Sequence, residues 1–317
     1  MTMTSIQLRC YPNLFIIGSM RAGSTTLHEI LKQHPDIFMS SVKEPYFFSA
    51  QQLRDQLKRP NLNASEKSQY KEQLQITVRG GRYRTHEAYH SLFEGSQNFK
   101  YRGESSHYLY HRNAAYSIKE HSPEASIIVS IRNPVERIYS EYGLLRRWGK
   151  FNGTFEEFIF QNVEKRDIKR ERLEKGYQGA QIDLWIRVFG QAKVHIVLFD
   201  QLKSDPEKCY NKIFRWLNLA PMEDFVLLQA QRSAIPRNQT IANLVQKGGG
   251  DWLNPIKKLF PKTLRTRVKD RMYRSRLFKK ERMPDDVAEK LRDAYKDDIL
   301  KLRKLTGYDL CDWLKKP

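Results

Sequence analysis

The 317-residue chain has few cysteines and no long apolar run, and both absences narrow what it can be. Cys10, Cys209 and Cys311 are odd in number and far apart, which excludes a disulfide framework and fits no metal-ligand spacing. No apolar run approaches the roughly 20 residues that a membrane helix needs, and the N-terminus up to Cys10 lacks the apolar core of a secretion signal. The sequence therefore predicts free thiols and a cytoplasmic location.

Acidic residues are scarce relative to basic ones, with 36 Asp and Glu against 56 Lys and Arg and a formal net charge of +20. Half of this excess lies in residues 257–282, where twelve basic residues stand against Asp270 and Glu281. Such an excess of basic residues is typical of a protein that binds an anionic substrate or cofactor, nucleic acid, or an anionic membrane surface. A solvated basic helix with no partner is also open. Nucleic acid is disfavoured because no known binding module surrounds the segment.

Apolar segments of strand length alternate with segments of helical periodicity, which predicts an α/β fold. We expect a P-loop-like, three-layer α/β/α domain over residues 1–317, with a central parallel sheet of about 4–5 strands. The strands at 14–18, 127–131 and 194–199 should be central because they are apolar throughout. A shorter strand is expected at 37–39.

The less regular segments are expected to lie outside this core. Gly103–Tyr108 is predicted to be a loop, and residues 50–100 and 221–280 are predicted to be variable acceptor-side or surface segments. No internal repeat or low-complexity tract interrupts the chain.

The first predicted strand runs through Gly18 into a short loop and then a helix, so backbone N–H groups at the helix N-terminus can bind an anion. A nucleotide triphosphatase would carry Lys directly after Gly23, but Ser24 occupies that position and the cation is Arg21. No Walker B aspartate is evident apart from Asp200, so a P-loop kinase or NTPase remains a remote alternative. An ordinary strand–turn–helix unit also stays open. The candidate anion-binding residues are Arg21, Ala22, Gly23, Ser24, Thr25 and Thr26.

A second motif follows the strand that ends at Ile131. Arg132 leaves the carboxyl end of that strand, where α/β sheets bind ligands, and Ser140 lies about two helical turns later. A guanidinium and a hydroxyl together can hold a terminal phosphate. A capped surface helix is the alternative, with Asn133 as the cap and Pro134 in the first turn.

Together, these two motifs resemble those of sulfotransferases that use 3′-phosphoadenosine 5′-phosphosulfate (PAPS), although that family usually carries Lys at the position of Arg21. Lys43-Glu44-Pro45-Tyr46-Phe47-Phe48 resembles a segment of the carbohydrate and heparan sulfate members, in which His is frequent at the position of Tyr46. Gly103–Tyr108 resembles a further family loop but lacks its proline. Gly176-Tyr177, followed by Trp185, also resembles a family segment, as does the C-terminal stretch around Gly307-Tyr308.

The resemblance implies transfer of a sulfuryl group from PAPS to a hydroxyl or amine, with release of 3′-phosphoadenosine 5′-phosphate (PAP) and without a metal. It implies Glu44 as the base, with His107 or Glu104 as the next candidates, and Arg21 and Lys43 as the cations at the leaving group. Arginine can neutralise but not protonate. The acceptor would be a carbohydrate or small molecule, with a bacterial natural product or a lipid as the alternative. The implied PAPS-binding residues are the loop residues 21–26 with Arg132, Ser140, Tyr177 and Arg237.

Overall fold

A computed structural model describes residues 11–49, 63–64, 85–160, 172–226, 235–236, 278–279 and 282–315. Arg237 and nearly all of the basic segment 257–282 lie outside these ranges, as do most residues of 50–100 and 221–280. Within the described ranges the elements follow in this order: β1 Leu14–Ile16, α1 Ser24–Leu31, β2 Ile37–Met39, α2 His86–His90, a 3-10 turn Ser91–Phe93, β3 Tyr101–Ser105, a 3-10 turn Tyr108–Tyr110, α3 Arg112–His121, β4 Ser126–Ile131, α4 Pro134–Arg147, α5 Phe155–Phe160, α6 Gln178–Phe189, a 3-10 turn Gln191–Lys193, β5 Val194–Leu198, α7 Phe199–Ser204, α8 Pro206–Trp216, β6 Ile235–Pro236, β7 Phe278–Lys279, α9 Asp285–Thr306 and a 3-10 turn Cys311–Trp313.

Five parallel strands form the main sheet in the order β2-β3-β1-β4-β5, which confirms the predicted α/β class and strand number. The register pairs Leu14 with Gly103 on one side and with Ser126 on the other, so β1 is the central strand. The expectation that the strand at 194–199 is central was wrong, because β5 is an edge strand. The apolar composition of β5 indicates that both faces of the sheet are covered there. It does not indicate whether a strand pairs with β5 on one side or on both.

The prediction of a loop at Gly103–Tyr108 was wrong for Gly103–Ser105, since β3 extends through Ser105, but it holds for Ser106 and His107. At Gly103 a Cβ would overlap the sulfur of Met39 on β2, so a larger residue would require the Met39 side chain to move. Glu104 and Ser105 are polar yet buried, at 0% and 1% exposure. Strands are predicted from sequence by runs or alternation of apolar residues, so a glycine followed by two buried polar residues is not recognised as a strand.

The described residues divide into two compact units, and the first contains the whole main sheet. Its residues come from Met1–Arg132, Gln178–Leu228 and Leu300–Tyr308. Leu14 and Ile16 of β1 share a core with apolar residues of α1 and α8. Phe15 points to the other face, where its ring contacts Phe48, which in turn contacts His121 at the end of α3. Helices therefore pack on both faces of the sheet.

The second unit is built on α4 and α5, with part of α9, and comes from Asn133–Tyr177, Gln229–Ile299 and Asp309–Pro317. Asn133 caps α4 as predicted, accepting a hydrogen bond from the Val135 N–H at 3.0 Å. Inside the unit the buried Arg137 and Glu141 form an ion pair at 2.8 Å. The prediction of a single domain over residues 1–317 stays a prediction.

In the ranges that the structure describes, no helix combines the length and apolarity needed to cross a membrane.

Candidate active site

The loop between β1 and α1 stays hydrogen-bonded to β4 after β1 itself has ended. The Ile17 N–H donates to the Ile128 carbonyl at 2.9 Å, and the Ser19 N–H donates to the Ser130 carbonyl at 2.7 Å. Gly18 between them is packed so closely that a Cβ would lie 2.7 Å from the Ser130 nitrogen. Only glycine fits this position, so the start of the loop is held firmly at the carboxyl end of the sheet.

The end of the same loop presents backbone donors at the N-terminus of α1. Arg21 and Gly23 have left-handed backbones, with φ of 66° and 87°. Gly23 caps α1 and has no side chain to accept from the first-turn N–H groups, and that turn contains no acidic residue. The left-handed conformation of Arg21 costs roughly 1 kcal/mol or more. Such a helix N-terminus can bind an anion, and the anion-binding role of residues 21–26 stays a prediction.

Tyr110 supports this loop from the 3-10 turn after β3, a role that the sequence did not indicate. Its hydroxyl accepts a hydrogen bond from the Met20 N–H at 2.7 Å and shares another with the Ser19 hydroxyl at 2.7 Å. The aromatic residue lies about 90 positions away along the chain, so only the packing of β3 beside β1 brings it here.

Arg132 lies against the loop, at the carboxyl end of β4. Its guanidinium stacks over the Phe199 ring at 4.5 Å, and its Nη1 approaches the Arg21 carbonyl at 3.4 Å. Gln178, which is buried at the start of α6, forms two hydrogen bonds with the backbone of Arg132. Its Nε2 donates to the Arg132 carbonyl at 2.8 Å, and its Oε1 accepts from the Arg132 N–H at 3.3 Å. Gln178 is thus a positioning residue that was missed, although it directly follows the Gly176-Tyr177 motif.

Glu44 follows β2 and is anchored to the end of β3 by its N–H, which donates to the Ser105 carbonyl at 2.9 Å. Its backbone is left-handed, with φ of 62°, and Tyr46 has φ of 53°. Two left-handed non-glycine residues so close together are uncommon and cluster at functional sites. The Glu44 carboxylate contacts Lys43 Nζ at 2.8 Å and the Tyr46 hydroxyl at 3.4 Å.

His107 connects Glu44 to the loop between β1 and α1. Its Nδ1 lies 3.0 Å from the Gly18 carbonyl, and its Nε2 lies 3.4 Å from Glu44 Oε1. A carbonyl can only accept, so Nδ1 carries a proton in this arrangement. The interaction with His107, reinforced by Lys43, holds the pKa of Glu44 well below its usual range, although burial acts in the opposite direction. Glu44 is therefore ionised at neutral pH, which is the protonation state a base requires.

Glu104, the other carboxylate of this region, lies entirely inside the protein. Burial raises the pKa of Glu104 to about 8, while the hydroxyls of Tyr108, Tyr89 and Ser106 act in the opposite direction. Its oxygens make no hydrogen bond of ordinary geometry with any described residue. A neutral carboxyl group buried at the end of β3 is poorly placed to accept a proton from a ligand.

The structure thus brings Arg21, Arg132 and the loop residues 21–26 together, and it links Lys43 and Glu44 to this loop through His107. Ser140 and Tyr177 belong to the second unit. Ser140 is buried on α4, and the Tyr177 ring packs edge-on against Tyr295 at 5.2 Å. Their roles toward PAPS stay predictions.

A parallel sheet whose first strand leads through a glycine-containing loop to a helix N-terminus defines a P-loop-like α/β protein. Within this class the chain belongs to the sulfotransferase family, whose model matches residues 12–224. A crystal structure of a sulfotransferase from Alicyclobacillus acidocaldarius superposes with a TM-score of 0.65, covering 96% of this chain and 99% of the other at 23% identity. The fold is therefore that of a sulfotransferase.

Relatives found by sequence similarity are also named as sulfotransferases. Carbohydrate sulfotransferase 15 of Mus musculus is 24% identical over 270 residues, which covers 69% of this chain and 46% of the relative. The bifunctional heparan sulfate N-deacetylase/N-sulfotransferase 4 of Mus musculus is 23% identical over 227 residues, covering 66% of this chain and 22% of the relative. The chain spans less than half the length of these relatives.

Proposed function

We propose that this protein transfers a sulfuryl group from PAPS to a hydroxyl or amine of a carbohydrate acceptor and releases PAP. The observation that carries the proposal is the link from Glu44 through His107 to Gly18, because it joins an ionised carboxylate to the loop that is proposed to bind the phosphosulfate. A carbohydrate is favoured because the curated relatives include carbohydrate and heparan sulfate sulfotransferases. Sulfation of a bacterial natural product or a lipid is the second candidate.

PAPS supplies an activated sulfuryl group, and the residues present fit its charge. The first-turn N–H groups of α1 and the hydroxyls of Ser24, Thr25 and Thr26 would bind the 5′-phosphosulfate. Arg132 would hold the 3′-phosphate, together with Ser140. Tyr177 and Arg237 are proposed to contribute to the same binding site.

Glu44 is proposed to accept the acceptor proton as the acceptor oxygen or nitrogen attacks the sulfur in line with the leaving phosphate oxygen. Arg21 would neutralise the charge that develops on that oxygen, and Lys43 would share this task. Lys43 and His107 keep Glu44 a weak base, because they lower its pKa. A bound acceptor would displace water around Glu44, and this desolvation raises the pKa of a carboxyl group.

A screen with radiolabelled PAPS against sugar, lipid, phenol and amine acceptors tests the proposal. We expect label in a sugar hydroxyl or amine and one PAP released per transfer. If only a lipid or a phenol is labelled, the proposed sulfuryl transfer stands, but the acceptor is not a carbohydrate. Absence of both transfer and PAP binding, together with magnesium-dependent ATP turnover, would overturn the proposal in favour of a nucleotide-dependent phosphotransferase.

The cytoplasmic location predicted from cysteine usage is part of this proposal. Neither of the described thiols, Cys209 and Cys311, forms a disulfide, and burial raises the pKa of Cys209 to about 11, which makes the Cys209 thiol unreactive.

A further inference from the structure

Three histidines meet at a place that the proposed sulfuryl transfer does not use. His86 and His90 lie one turn apart on α2, and His121 is the last residue of α3. One ring nitrogen from each of the three lies within 4.8 Å of the other two, and His90 Nε2 is 2.9 Å from His121 Nε2. His121 lies more than thirty residues after the other two in the sequence, so only the folded chain brings the three together. We call His86, His90 and His121 the histidine cluster.

The hydrogen bonds of His121 leave its Nε2 as a ligand atom. The Ser122 hydroxyl donates to the Pro12 carbonyl at 2.7 Å, so its oxygen must accept from His121 Nδ1, which lies 2.9 Å away. A neutral His121 ring therefore carries its proton on Nδ1 and a lone pair on Nε2. Metal-binding histidines use the same arrangement, with one nitrogen held by a hydrogen bond and the other facing the ion.

We propose that the histidine cluster binds one divalent transition-metal ion of the class that prefers imidazole, such as Zn²⁺ or Co²⁺, through its three rings, with water completing the shell. Tetrahedral Zn–N bonds place ligand nitrogens about 3.3 Å apart. The His90–His121 pair is slightly closer than this, and the exposed His86 can move inward by changing rotamer. The proton that His90 Nε2 shares with His121 moves to His90 Nδ1 by exchange with water, which frees the second ligand atom.

The ion would link α2 to α3. Through aromatic contacts it would also stabilise Phe47 and Phe48, which follow Glu44 in the sequence. The Tyr11 ring packs edge-on against His90 and His121, at 4.7 and 4.9 Å. Phe47 contacts the His86 ring at 5.0 Å, and Phe48 contacts the His121 ring at 5.2 Å. Binding should therefore raise the thermal midpoint of the protein, independently of any sulfuryl transfer.

Calorimetric titration of the metal-stripped full chain with Zn²⁺, and the visible spectrum of the Co²⁺ form, test the proposal. We expect one ion per chain and the intense ligand-field bands of a tetrahedral site. His86→Gln should weaken binding at least tenfold; because His86 is exposed, the variant should fold normally. Ser122→Ala should weaken binding by about tenfold, since it removes the partner that orients His121.

His111→Asn is the matched control, since it removes an imidazole next to the other end of α3. It should bind Zn²⁺ as the wild type does. The proposal is overturned if the wild type binds no stoichiometric ion, if His86→Gln binds equally well, or if His111→Asn loses affinity to the same extent. The net charge of +20 opposes non-specific binding of cations. One tightly bound Zn²⁺ ion per chain would therefore indicate a specific site.

Discussion

Glu44 shows how much of the site depends on single residues. Its backbone is left-handed, its carboxylate is held by Lys43 and His107, and its N–H is fixed to the end of β3. The strain of the backbone is offset by these contacts. The position of the carboxylate is thus fixed by neighbouring residues of the chain.

Glu44→Gln keeps the shape of the side chain and removes the proposed base. We expect turnover with the true acceptor to fall by on the order of a hundredfold or more, while PAP affinity measured by calorimetry changes little. Glu223→Gln, at an exposed position, is the control and should retain full turnover. Near-normal turnover of Glu44→Gln would mean that the base lies elsewhere.

His107→Asn tests the link between Glu44 and the loop. The shorter amide can still donate to the Gly18 carbonyl, as Nδ1 does, but it loses the Nε2 contact with Glu44. Since that contact lowers the pKa of Glu44, its loss should raise this pKa toward the ordinary value of about 4.3. The acid limb of the kcat/KM profile should therefore move to higher pH, and a carboxyl NMR titration should show the same shift.

His111→Asn is the control variant and should leave the acid limb of the kcat/KM profile unchanged. If His107→Asn leaves the limb in place as well, the contact with His107 does not set the pKa of Glu44.

At the scale of elements, the site is formed by segments that leave the carboxyl ends of parallel strands. β1 leads into the loop, β4 leads into Arg132, and β3 leads into His107. These ends meet at one edge of the sheet because the strands are parallel and adjacent. Gln178 then fixes the backbone of Arg132 from α6.

Arg132→Ala should weaken PAP binding by roughly ten- to a hundredfold, the range expected for lost charge-assisted hydrogen bonds. Adenosine 5′-phosphosulfate lacks the 3′-phosphate, so its affinity should fall much less. Calorimetry with both ligands measures the difference. Arg187→Ala, which removes an exposed arginine on α6, should change neither affinity. Equal losses for the two ligands in Arg132→Ala would contradict the assignment of Arg132 to the 3′-phosphate.

At the scale of the whole molecule, the buried Glu104 couples stability to pH. The pKa of Glu104 is raised to about 8 in the folded protein, so the folded state holds a proton that the unfolded chain releases above about pH 4.5. The stabilisation is complete below the unfolded pKa and is lost progressively as pH rises to about 8. The free energy of unfolding should therefore decrease over this range, by at most about 5 kcal/mol.

Glu104→Gln keeps the neutral shape and should remove this decrease in urea unfolding curves measured from pH 5 to pH 9. Glu120→Gln, at an exposed position on α3, should retain it. The role assigned to Glu104 would be wrong if the wild type and Glu104→Gln showed the same pH dependence.

The local parts of this protein follow from the sequence alone. The strand, glycine loop and helix at residues 14–31, the Asn133 cap, and the position of Arg132 at the end of β4 depend on neighbours within a few residues. Roles for Glu44 and Arg21 could be proposed because their motifs are contiguous and resemble those of a known family. Short-range sterics and hydrogen bonding determine such features, so they are readable in order along the chain.

The tertiary structure alone decided the contacts between segments. It placed β3 beside β1, left β5 at the sheet edge, brought His107 between Gly18 and Glu44, and set the histidine cluster at the junction of α2 and α3. Strand order and buried polar contacts depend on packing between residues far apart in sequence. Residue types alone do not encode which of several compatible neighbours a strand or a polar side chain will take.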